Sequence, residues 1–397
     1  MPWVHLHVSQ NGNVLPCCQA PPHKVHRFGT VNEKSIAEIW EDRPIQEFRK
    51  KQLAGEKDHR CKQCYLKEEQ GLNSLRMDAN AKFAPQVDDV LSRNYKLDSP
   101  VYFDIRFSNA CNLKCRICGP WASSSWFKDA VELGMRKPNE KAITMAIGDE
   151  EDFFKQMQPI FITAKEFYFA GGEPLMMEQH YRVLEALIQS GNTDCRLSYN
   201  SNFSNFQFKN YNVVDYWRQF KSVSISASID AEGRRGELLR KNLNWTKVLS
   251  NRQLLIEELN HIEFQVTPTV CNLNVTHLID FHKNWVEQGF ISVEDFVPNI
   301  LFNPKHYKLT VLPLRVQLEL KIKYQNHLEW MNAQSILDTK KYAIAYNQFK
   351  MITEILGSKD ESMLIEMLKD SIQKMDSLRN ENTIEVFPEL KDIILND

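Results

Sequence analysis

The stretch from residue 111 to residue 118 constrains this chain more than any other, because it places three thiols within eight residues. Cys111, Cys115 and Cys118 are separated by three and then by two intervening residues. They follow residues 101–107, in which apolar and polar side chains alternate as they do in a β-strand. The sequence therefore predicts that the three cysteines lie on the loop that leaves the carboxyl end of a strand.

Three cysteines on one loop form an incomplete metal site. Zinc sites and ordinary [4Fe–4S] clusters use four ligands, so this loop leaves one coordination position without a protein ligand. An open position is typical of a reactive site, where a substrate or cofactor binds the metal. A structural zinc ion or cluster whose fourth ligand comes from elsewhere in the chain explains the spacing equally well.

A second motif follows the next predicted strand and decides between these two explanations. Gly171 and Gly172 allow the backbone to approach a ligand closely, and Glu173 offers a carboxylate to an ammonium group. Pro174 then suits the first turn of a helix. Because a purely structural metal site has no use for an ammonium-binding loop, the motif favours a reactive site.

Together the two motifs resemble those of the radical S-adenosylmethionine superfamily, over roughly residues 100–300. Its members carry CxxxCxxC after the first strand of a partial (β/α)6 barrel and a Gly-Gly-Glu motif after the second. The resemblance implies that Cys111, Cys115 and Cys118 bind three irons of a [4Fe–4S] cluster. The amino and carboxylate groups of S-adenosylmethionine then chelate the fourth iron, and residues 171–173 hold the ammonium group.

The resemblance also implies a reaction. In the superfamily, S-adenosylmethionine is cleaved reductively to methionine and a 5′-deoxyadenosyl radical, which abstracts hydrogen from a substrate. The chelate holds the carbon–sulfur bond beside the iron that supplies the electron, and the barrel excludes water and oxygen. A reductant such as flavodoxin or ferredoxin is the expected electron donor. The family usually has an aromatic residue before the third cysteine, where this chain has Ile117.

Three further residues stand where the family places ligands of the cofactor's ribose. Ser226 and Asp230 lie at the end of one predicted strand, and Asn200 follows another. Asp230 also has a simpler explanation, because it begins the turn that follows its strand. Residues 267–270 are expected to contact the adenine through their backbone. All of these positions are at the carboxyl ends of strands, where barrel enzymes gather their reactive groups.

The N-terminal segment contains a second group of cysteines. Cys17, Cys18, Cys61 and Cys64 resemble the cysteines of the SPASM/twitch modules of radical S-adenosylmethionine enzymes, and the resemblance covers residues 1–76. Such modules bind auxiliary iron–sulfur clusters. Here the module precedes the barrel, whereas it usually follows it. A full SPASM set has about seven cysteines, so four allow one cluster at most.

The fourth ligand of this auxiliary cluster is left open by the sequence. Adjacent Cys17 and Cys18 ligate a single cluster only with strain, so His5 or His7 is an alternative to one of them, although each is more simply a structural histidine. A zinc ribbon is the competing explanation for the group as a whole. Cys195 and Cys271 stand alone and are expected to be buried and inert.

The strand and helix patterns predict an α/β fold with a partial (β/α)6 barrel, a small N-terminal α+β iron–sulfur module and a C-terminal helical cap. The expected divisions are residues 1–80 for the module, 81–99 for a linker, 100–312 for the radical S-adenosylmethionine core and 313–397 for the helical region. The candidate core strands are residues 101–107, 166–169, 195–199, 223–229, 262–267 and 293–297. The helix predicted from residues 35–40 of the N-terminal segment is capped by Ser35.

Composition excludes few functions. A formal net charge of −2 gives no electrostatic reason to expect a nucleic acid. The sequence has neither a secretory signal nor a run of 18 apolar residues, so we expect a cytoplasmic protein with no membrane segment. The leading hypothesis is a radical S-adenosylmethionine enzyme of unassigned reaction, acting on a peptide or protein. Alternatives are the same chemistry on a small metabolite, sugar or nucleoside, and a non-catalytic zinc or iron–sulfur protein.

Overall fold

The secondary structure comes from a computed structural model, which describes residues 2–21, 24–69, 74–93, 99–334 and 339–395. The strands are β1 His5–Val8, β2 Asn13–Leu15, β3 Gly29–Thr30, β4 Tyr102–Ile105, β5 Lys114–Cys115, β6 Glu166–Phe169, β7 Arg196–Ser201, β8 Gln207–Phe208, β9 Tyr211–Asn212, β10 Val223–Ala227, β11 Arg240–Lys241, β12 Glu263–Val266, β13 Thr269–Val270 and β14 Asn299–Ile300. The helices are α1 Ile36–Glu41, α2 Arg43–Leu53, α3 Lys62–Glu69, α4 Leu75–Lys82, α5 Ala84–Ser92, α6 Phe127–Glu132, α7 Glu150–Thr163, α8 Glu178–Gln189, α9 Val213–Trp217, α10 Gly233–Leu239, α11 Trp245–Glu258, α12 Leu278–Glu287, α13 Leu314–Gln334, α14 Lys340–Ile355, α15 Ile365–Arg379, α16 Thr383–Val386 and α17 Lys391–Leu395.

The chain divides into two units. The first contains Met1–Cys111, Lys141–Asn200 and Gln207–Ser224, and the second contains Asn112–Glu140, Ser201–Phe206 and Ile225–Asp397. The sheet of the first unit has the order β3-β2-β1-β4-β6-β7, followed by the first two residues of β10. Strands β1, β4, β6 and β7 pair in parallel, whereas β2 and β3 are antiparallel to their neighbours. The expected α/β class with a mostly parallel sheet is confirmed.

Strand β4 shows why this sheet has one apolar and one polar face. Phe103 and Ile105 are buried on one face, where the Phe103 ring stacks on Phe167 of β6 at 5.1 Å between centroids. Phe161 of α7 continues the stack at 6.0 Å. Burial of each such ring stabilises the fold by about 1.5–3 kcal/mol. Asp104 alternates to the opposite face, so the polar side chains of neighbouring strands gather there.

The N-terminal segment joins this sheet directly, which the sequence pattern did not indicate. His5 and His7 of β1 pair in register with Tyr102 and Asp104 of β4. Helix α1 follows the hairpin, and Ser35 caps it as predicted. The Ser35 hydroxyl accepts the Glu38 N–H while the Glu38 carboxylate accepts the Ser35 N–H, which is a complete capping box.

The stretch predicted to be a linker, residues 81–99, is largely helical. Helix α4 begins after its cap Ser74 and α5 follows it, whereas residues 94–98 lie outside the described part of the chain. Phe83 and Val90 pack with Val4 in a small buried cluster. Polar composition predicted a linker, because the sequence of these two short helices has little apolar periodicity to detect. The domain boundaries remain predictions.

In the second unit the remainder of β10 pairs with β12. The sixth predicted strand, residues 293–297, is wrong. Val293–Asp295 is a 3-10 turn, Phe296 makes one isolated bridge to Val266, and β14 lies further along, in parallel with β13. The physical reason is local, because the Asp295 side chain accepts the Ser292 N–H and so fixes a turn where an extended strand was expected.

The C-terminal region is helical, as expected. On α13 the buried side chains include Leu320, Tyr324 and Met331, whereas Leu314, Leu318 and Ile322 are exposed. The buried face also contains polar groups with partners, such as the Tyr324 hydroxyl, which donates to the Val275 carbonyl at 2.8 Å. On α15, Leu368, Ile372 and Met375 are buried, whereas Met363 and Met367 are exposed. Among the described helices, none is both long and apolar enough to cross a membrane.

Candidate metal and cofactor site

The chain passes from the first unit to the second between Cys111 and Asn112, so the cysteine loop is described in two parts. Hydrogen bonds of Ser108 and Asn109 fix the first part, immediately before Cys111. The Asn109 amide donates to the Ala142 carbonyl at 3.1 Å and accepts the Thr144 N–H at 2.8 Å. The Ser108 hydroxyl accepts the Ala110 N–H at 2.8 Å. These bonds fix the backbone that enters the first cysteine.

The Gly-Gly-Glu loop packs directly against this backbone. The Glu173 N–H donates to the Ala110 carbonyl at 2.7 Å, and the Gly172 N–H donates to the Ser108 carbonyl at 3.2 Å. A Cβ on Gly172 would lie 2.1 Å from the Ala110 oxygen, so glycine is required by the close approach. Gly171 has a φ of +125°, which side-chain-bearing residues rarely adopt. The Gly-Gly-Glu loop is therefore in contact with the backbone immediately before Cys111.

Glu173 is placed at the start of a short turn and is only 2 % exposed. Its Oε1 accepts the Leu175 N–H at 3.2 Å. The carboxylate is thus fixed by the backbone of the turn that it begins. Its role in binding an ammonium group remains a prediction.

The second part of the loop is held by a group of amides that sequence reasoning missed. Asn112 accepts the side-chain N–H of Asn202 at 2.9 Å and donates to the Ser204 hydroxyl at 2.9 Å. The Asn242 amide donates to the Asn112 carbonyl at 3.2 Å. These partners lie 90 or more residues from the loop in sequence, so no local spacing identified them.

Cys115 is buried and lies on β5, which pairs antiparallel with β11 in the register Arg240 to Cys115. The Trp126 indole N–H donates to the Cys115 carbonyl at 2.9 Å. The Arg240 Nη1 donates to the Cys115 sulfur at 3.5 Å. A buried cation therefore faces the second of the three thiols, and sequence reasoning missed it.

Cys118 is half-buried at one edge of a cavity of about 260 Å³ in the second unit. Trp121, Met135 and Met367 are among its apolar lining residues, and Arg116 and Lys374 are among the charged ones. Burial raises the pKa of the Cys118 thiol above its usual range. Iron or zinc has to displace this proton, because the thiolate is the form that binds metal.

In the part of the chain that the structure describes, no group of three or more His, Cys, Asp and Glu side chains is arranged to hold a metal ion. Within the second unit the surroundings of Cys115 suit an anionic cluster, because the Arg240 guanidinium faces its sulfur. The assignment of Cys111, Cys115 and Cys118 as ligands remains a prediction.

The predicted ribose ligands have different surroundings. Asn200 is exposed near the end of β7, and the Ser226 hydroxyl on β10 accepts the Gln265 amide N–H at 2.8 Å. Asp230 is buried, and both of its carboxylate oxygens are already engaged. Oδ1 accepts the Thr269 N–H at 2.8 Å, and Oδ2 lies 2.8 Å from Nε of Arg240. These contacts favour a structural role for Asp230 over ribose binding.

The N-terminal cysteines form a separate candidate site within the first unit. Cys17, Cys61 and Cys64 line a common cavity of about 160 Å³. Arg60 and Arg76 also line it, and these guanidinium groups are paired with the carboxylates of Asp58 and Glu68. Burial raises the pKa of the Cys17 and Cys61 thiols to about 11. The cavity and its three thiols suit one auxiliary cluster.

Cys18 does not line this cavity. It is exposed, and its charged neighbours include Asp104 on β4 and Arg106 just after that strand. His5 and His7 are engaged elsewhere too. His5 Nδ1 lies 3.2 Å from the Pro16 carbonyl oxygen, and His7 Nδ1 lies 3.0 Å from Asp104 Oδ2. The structure therefore separates Cys17 from Cys18 and gives both histidines structural contacts.

The remaining cysteines, Cys195 and Cys271, are both buried. Cys271 lies beside Asn274, whose side-chain oxygen accepts the Cys271 N–H at 2.8 Å. Burial raises the pKa of both thiols to about 12. Both remain protonated at neutral pH, as expected of inert cysteines.

Comparisons with known proteins bear on the N-terminal site. Residues 1–65 match the family model of the SPASM domain, described as an iron–sulfur cluster-binding domain. The prediction of a SPASM-type iron–sulfur module at the N-terminus is thereby confirmed. Among curated proteins, none matches the sequence significantly.

Several solved structures are similar to this chain at low identity. One is anSMEcpe with bound AdoMet, with 18% identity and a TM-score of 0.39, covering 56% of this chain and 57% of that one. Another is Streptococcus suis SuiB bound to precursor peptide SuiA, with 12% identity and a TM-score of 0.36, covering 84% and 70%. A third is TYW1 with a lysine–pyruvate adduct, with 12% identity and a TM-score of 0.30, covering 61% and 74%. The match spans little more than half the length of anSMEcpe.

Proposed function

We propose that the protein is a radical S-adenosylmethionine enzyme with an N-terminal auxiliary iron–sulfur cluster. One observation carries the proposal. The Gly-Gly-Glu loop donates the Glu173 N–H to the Ala110 carbonyl, so an ammonium-binding motif is built onto the residue before Cys111. A structural metal site has no need of that contact, whereas a cluster that binds S-adenosylmethionine at an open iron position does.

Each part of the chain has a role in this proposal. Cys111, Cys115 and Cys118 provide the three thiolates, and Gly171 and Gly172 leave room for the cofactor to approach the backbone. When bound, the cluster and S-adenosylmethionine supply an electron and a source of a 5′-deoxyadenosyl radical for hydrogen abstraction. The protein contributes orientation, because a reacting bond that is out of place by 1 Å can slow a reaction about 100-fold.

Glu173 is the residue assigned to the ammonium group. Its carboxylate is buried, and one of its oxygens accepts the Leu175 N–H. A charge-assisted hydrogen bond in a buried position is stronger than one in water. Glu173 would therefore fix the amino end of the cofactor while the thiolates fix the cluster. Ser226 and Asn200 remain the candidates for the ribose.

The auxiliary cluster belongs to the cavity lined by Cys17, Cys61 and Cys64. Its fourth ligand is unassigned, since Cys18, His5 and His7 all have other surroundings. A peptide or protein substrate is the preferred class, because auxiliary-cluster relatives in the superfamily often modify peptides. The electron donor is proposed to be a flavodoxin or ferredoxin.

The test is anaerobic reconstitution followed by two measurements. Iron and sulfide are counted, and 5′-deoxyadenosine is assayed after dithionite and S-adenosylmethionine are added. About eight irons per chain with 5′-deoxyadenosine formation is the expected result, since two four-iron clusters are proposed. Bound zinc without 5′-deoxyadenosine would instead identify a non-catalytic metal protein.

A further inference from the structure

We propose that Arg240 is a positioning residue for the cluster. Its guanidinium donates a hydrogen bond to the Cys115 sulfur and so raises the cluster's reduction potential. In this proposal Asp230 holds the guanidinium in place. The proposal rests on the proposed function, because it assumes that Cys115 is a ligand of the [4Fe–4S] cluster. It assigns roles to two buried residues that the cofactor-binding motifs do not include.

The geometry within the second unit carries the proposal. Arg240 is 7 % exposed, and its Nη1 donates to the Cys115 sulfur at 3.5 Å. Its Nε lies 2.8 Å from Asp230 Oδ2. The guanidinium therefore faces a carboxylate with its Nε and a thiol with its Nη1. Cys118 is also within electrostatic range of this guanidinium. One buried cation therefore acts on two of the three predicted ligands.

The backbone leaves the Arg240 side chain little freedom. Strand β11 pairs with β5 so that Arg240 stands opposite Cys115, and the Arg116 N–H donates to the Leu239 carbonyl at 2.8 Å. Asp230 is fixed in turn, because its Oδ1 accepts the Thr269 N–H and its carbonyl accepts the Asn274 amide at 3.0 Å. The donor is thus preorganised at the sulfur before any cluster is bound.

The positive charge of Arg240 determines how this arrangement affects the cluster's reduction potential. A buried arginine is costly unless it is paired, and the Asp230 carboxylate meets that requirement. The N–H groups of Arg240 that do not face Asp230 then stabilise negative charge on the Cys115 sulfur. Reduction adds one negative charge to a cluster, so a cationic donor stabilises the reduced form more than the oxidised form. Hydrogen bonds to cluster sulfurs are among the protein's means of setting the reduction potential.

A structural explanation predicts something different. If Arg240 merely ties β11 to Asp230, its replacement would lower the stability of the protein and leave the potential of any bound cluster unchanged. The two explanations therefore separate on the potential, not on activity. Arg252 is a suitable control, because it is a half-buried arginine of the same unit whose Nε donates to the Phe290 carbonyl at 2.7 Å.

The experiment is a redox titration, monitored by electron paramagnetic resonance, of the reconstituted full chain. Wild type, Arg240→Gln, Arg240→Lys and Arg252→Gln are compared without S-adenosylmethionine. The cluster of interest is identified as the one whose signal changes when S-adenosylmethionine is added. Iron and sulfide are counted in every sample, so that loss of the cluster is distinguished from a change in its potential.

At the wild-type midpoint, the ratio of reduced to oxidised cluster in Arg240→Gln is expected to fall about tenfold. For a one-electron couple this is a shift of about 59 mV to lower potential. Arg240→Lys, which keeps the charge but loses the planar fork, is expected to shift by less in the same direction. Arg252→Gln is expected to match wild type. A wild-type potential in Arg240→Gln overturns the proposal.

If Arg240→Gln fails to retain its four irons, Arg240→Lys provides the titration, and an unchanged potential there overturns the proposal equally. Failure of the proposed function is recognised separately, because wild type would then bind no cluster whose signal responds to S-adenosylmethionine. The proposal about Arg240 is contradicted only when such a cluster is present and its potential does not depend on residue 240.

Discussion

Gly172→Ala tests whether cleavage of S-adenosylmethionine depends on the contact between the Gly-Gly-Glu loop and the backbone before Cys111. The new Cβ would lie 2.1 Å from the Ala110 oxygen and 2.6 Å from the Asn109 carbonyl carbon, whereas real Cβ contacts essentially never fall below 3.0 Å. The two backbones must therefore separate by about 0.9 Å. Backbone atoms yield less readily than the end of a flexible side chain. Overpacking of this kind costs about 1–3 kcal/mol of unfolding free energy.

Two assays read the effect. Equilibrium urea unfolding gives the loss of stability, and the rate of 5′-deoxyadenosine formation in the reconstituted protein gives the loss of function. A displacement of this size beside Cys111 is expected to slow that formation about 100-fold. Gly191→Ala is the control, because Gly191 has a positive φ of 71° but no atom within 4 Å of its Cβ position. It carries backbone strain without a clash.

The reasoning is refuted if Gly172→Ala forms 5′-deoxyadenosine at the rate of Gly191→Ala. An intermediate result has a clear meaning as well. Loss of stability with an unchanged rate would show that the loop supports the fold but not the cofactor. In that case the observation that carries the proposed function would no longer support it.

Two further predictions follow from the geometry of single side chains. Cys61→Ser is expected to lose about four irons per chain, because Cys61 lines the N-terminal cavity. Cys18→Ser is expected to keep them, because Cys18 does not line it. Equal iron losses in the two variants would contradict this prediction. Burial lowers the pKa of His180 to about 3, so below pH 6.5 the unfolded chain binds a proton that the folded protein does not. Stability is therefore expected to fall as pH drops from 6.5 toward 3, by up to about 1.4 kcal/mol per pH unit from this group. Urea unfolding at several pH values should show that the unfolding free energy depends less steeply on pH in His180→Gln than in wild type. The same slope in both proteins would refute the lowered pKa of His180.

The sequence predicted the parts of the fold that depend on local pattern. Strand β6 and the capping of α1 by Ser35 were predicted from side-chain pattern and from the preference of serine for helix N-caps, which are readable within a few residues. The 3-10 turn at Val293–Asp295 was missed, because it depends on the Asp295 carboxylate accepting the Ser292 N–H, which side-chain periodicity does not detect. The pairing of β1 with β4 was missed for a different reason, since it joins residues about 100 positions apart.

The candidate site divides in the same way. The cysteine and glycine positions could be predicted, because their spacing carries the chemistry. Arg240, Trp126 and Asn112 could not, because each acts through a partner that only the folded chain brings close. The separation of Cys17 from Cys18 was also beyond the sequence, although their adjacency indicated that one of them would be strained as a second ligand.

The central claim is that Cys115 binds a cluster at which S-adenosylmethionine is cleaved. The most direct measurement compares wild type with Cys115→Ala after anaerobic reconstitution, counting iron and assaying 5′-deoxyadenosine with dithionite and S-adenosylmethionine. Wild type is expected to form 5′-deoxyadenosine with about eight irons, and the variant to form none while keeping about four irons in the N-terminal cavity. Formation of 5′-deoxyadenosine by the Cys115→Ala variant at the wild-type rate would contradict the claim.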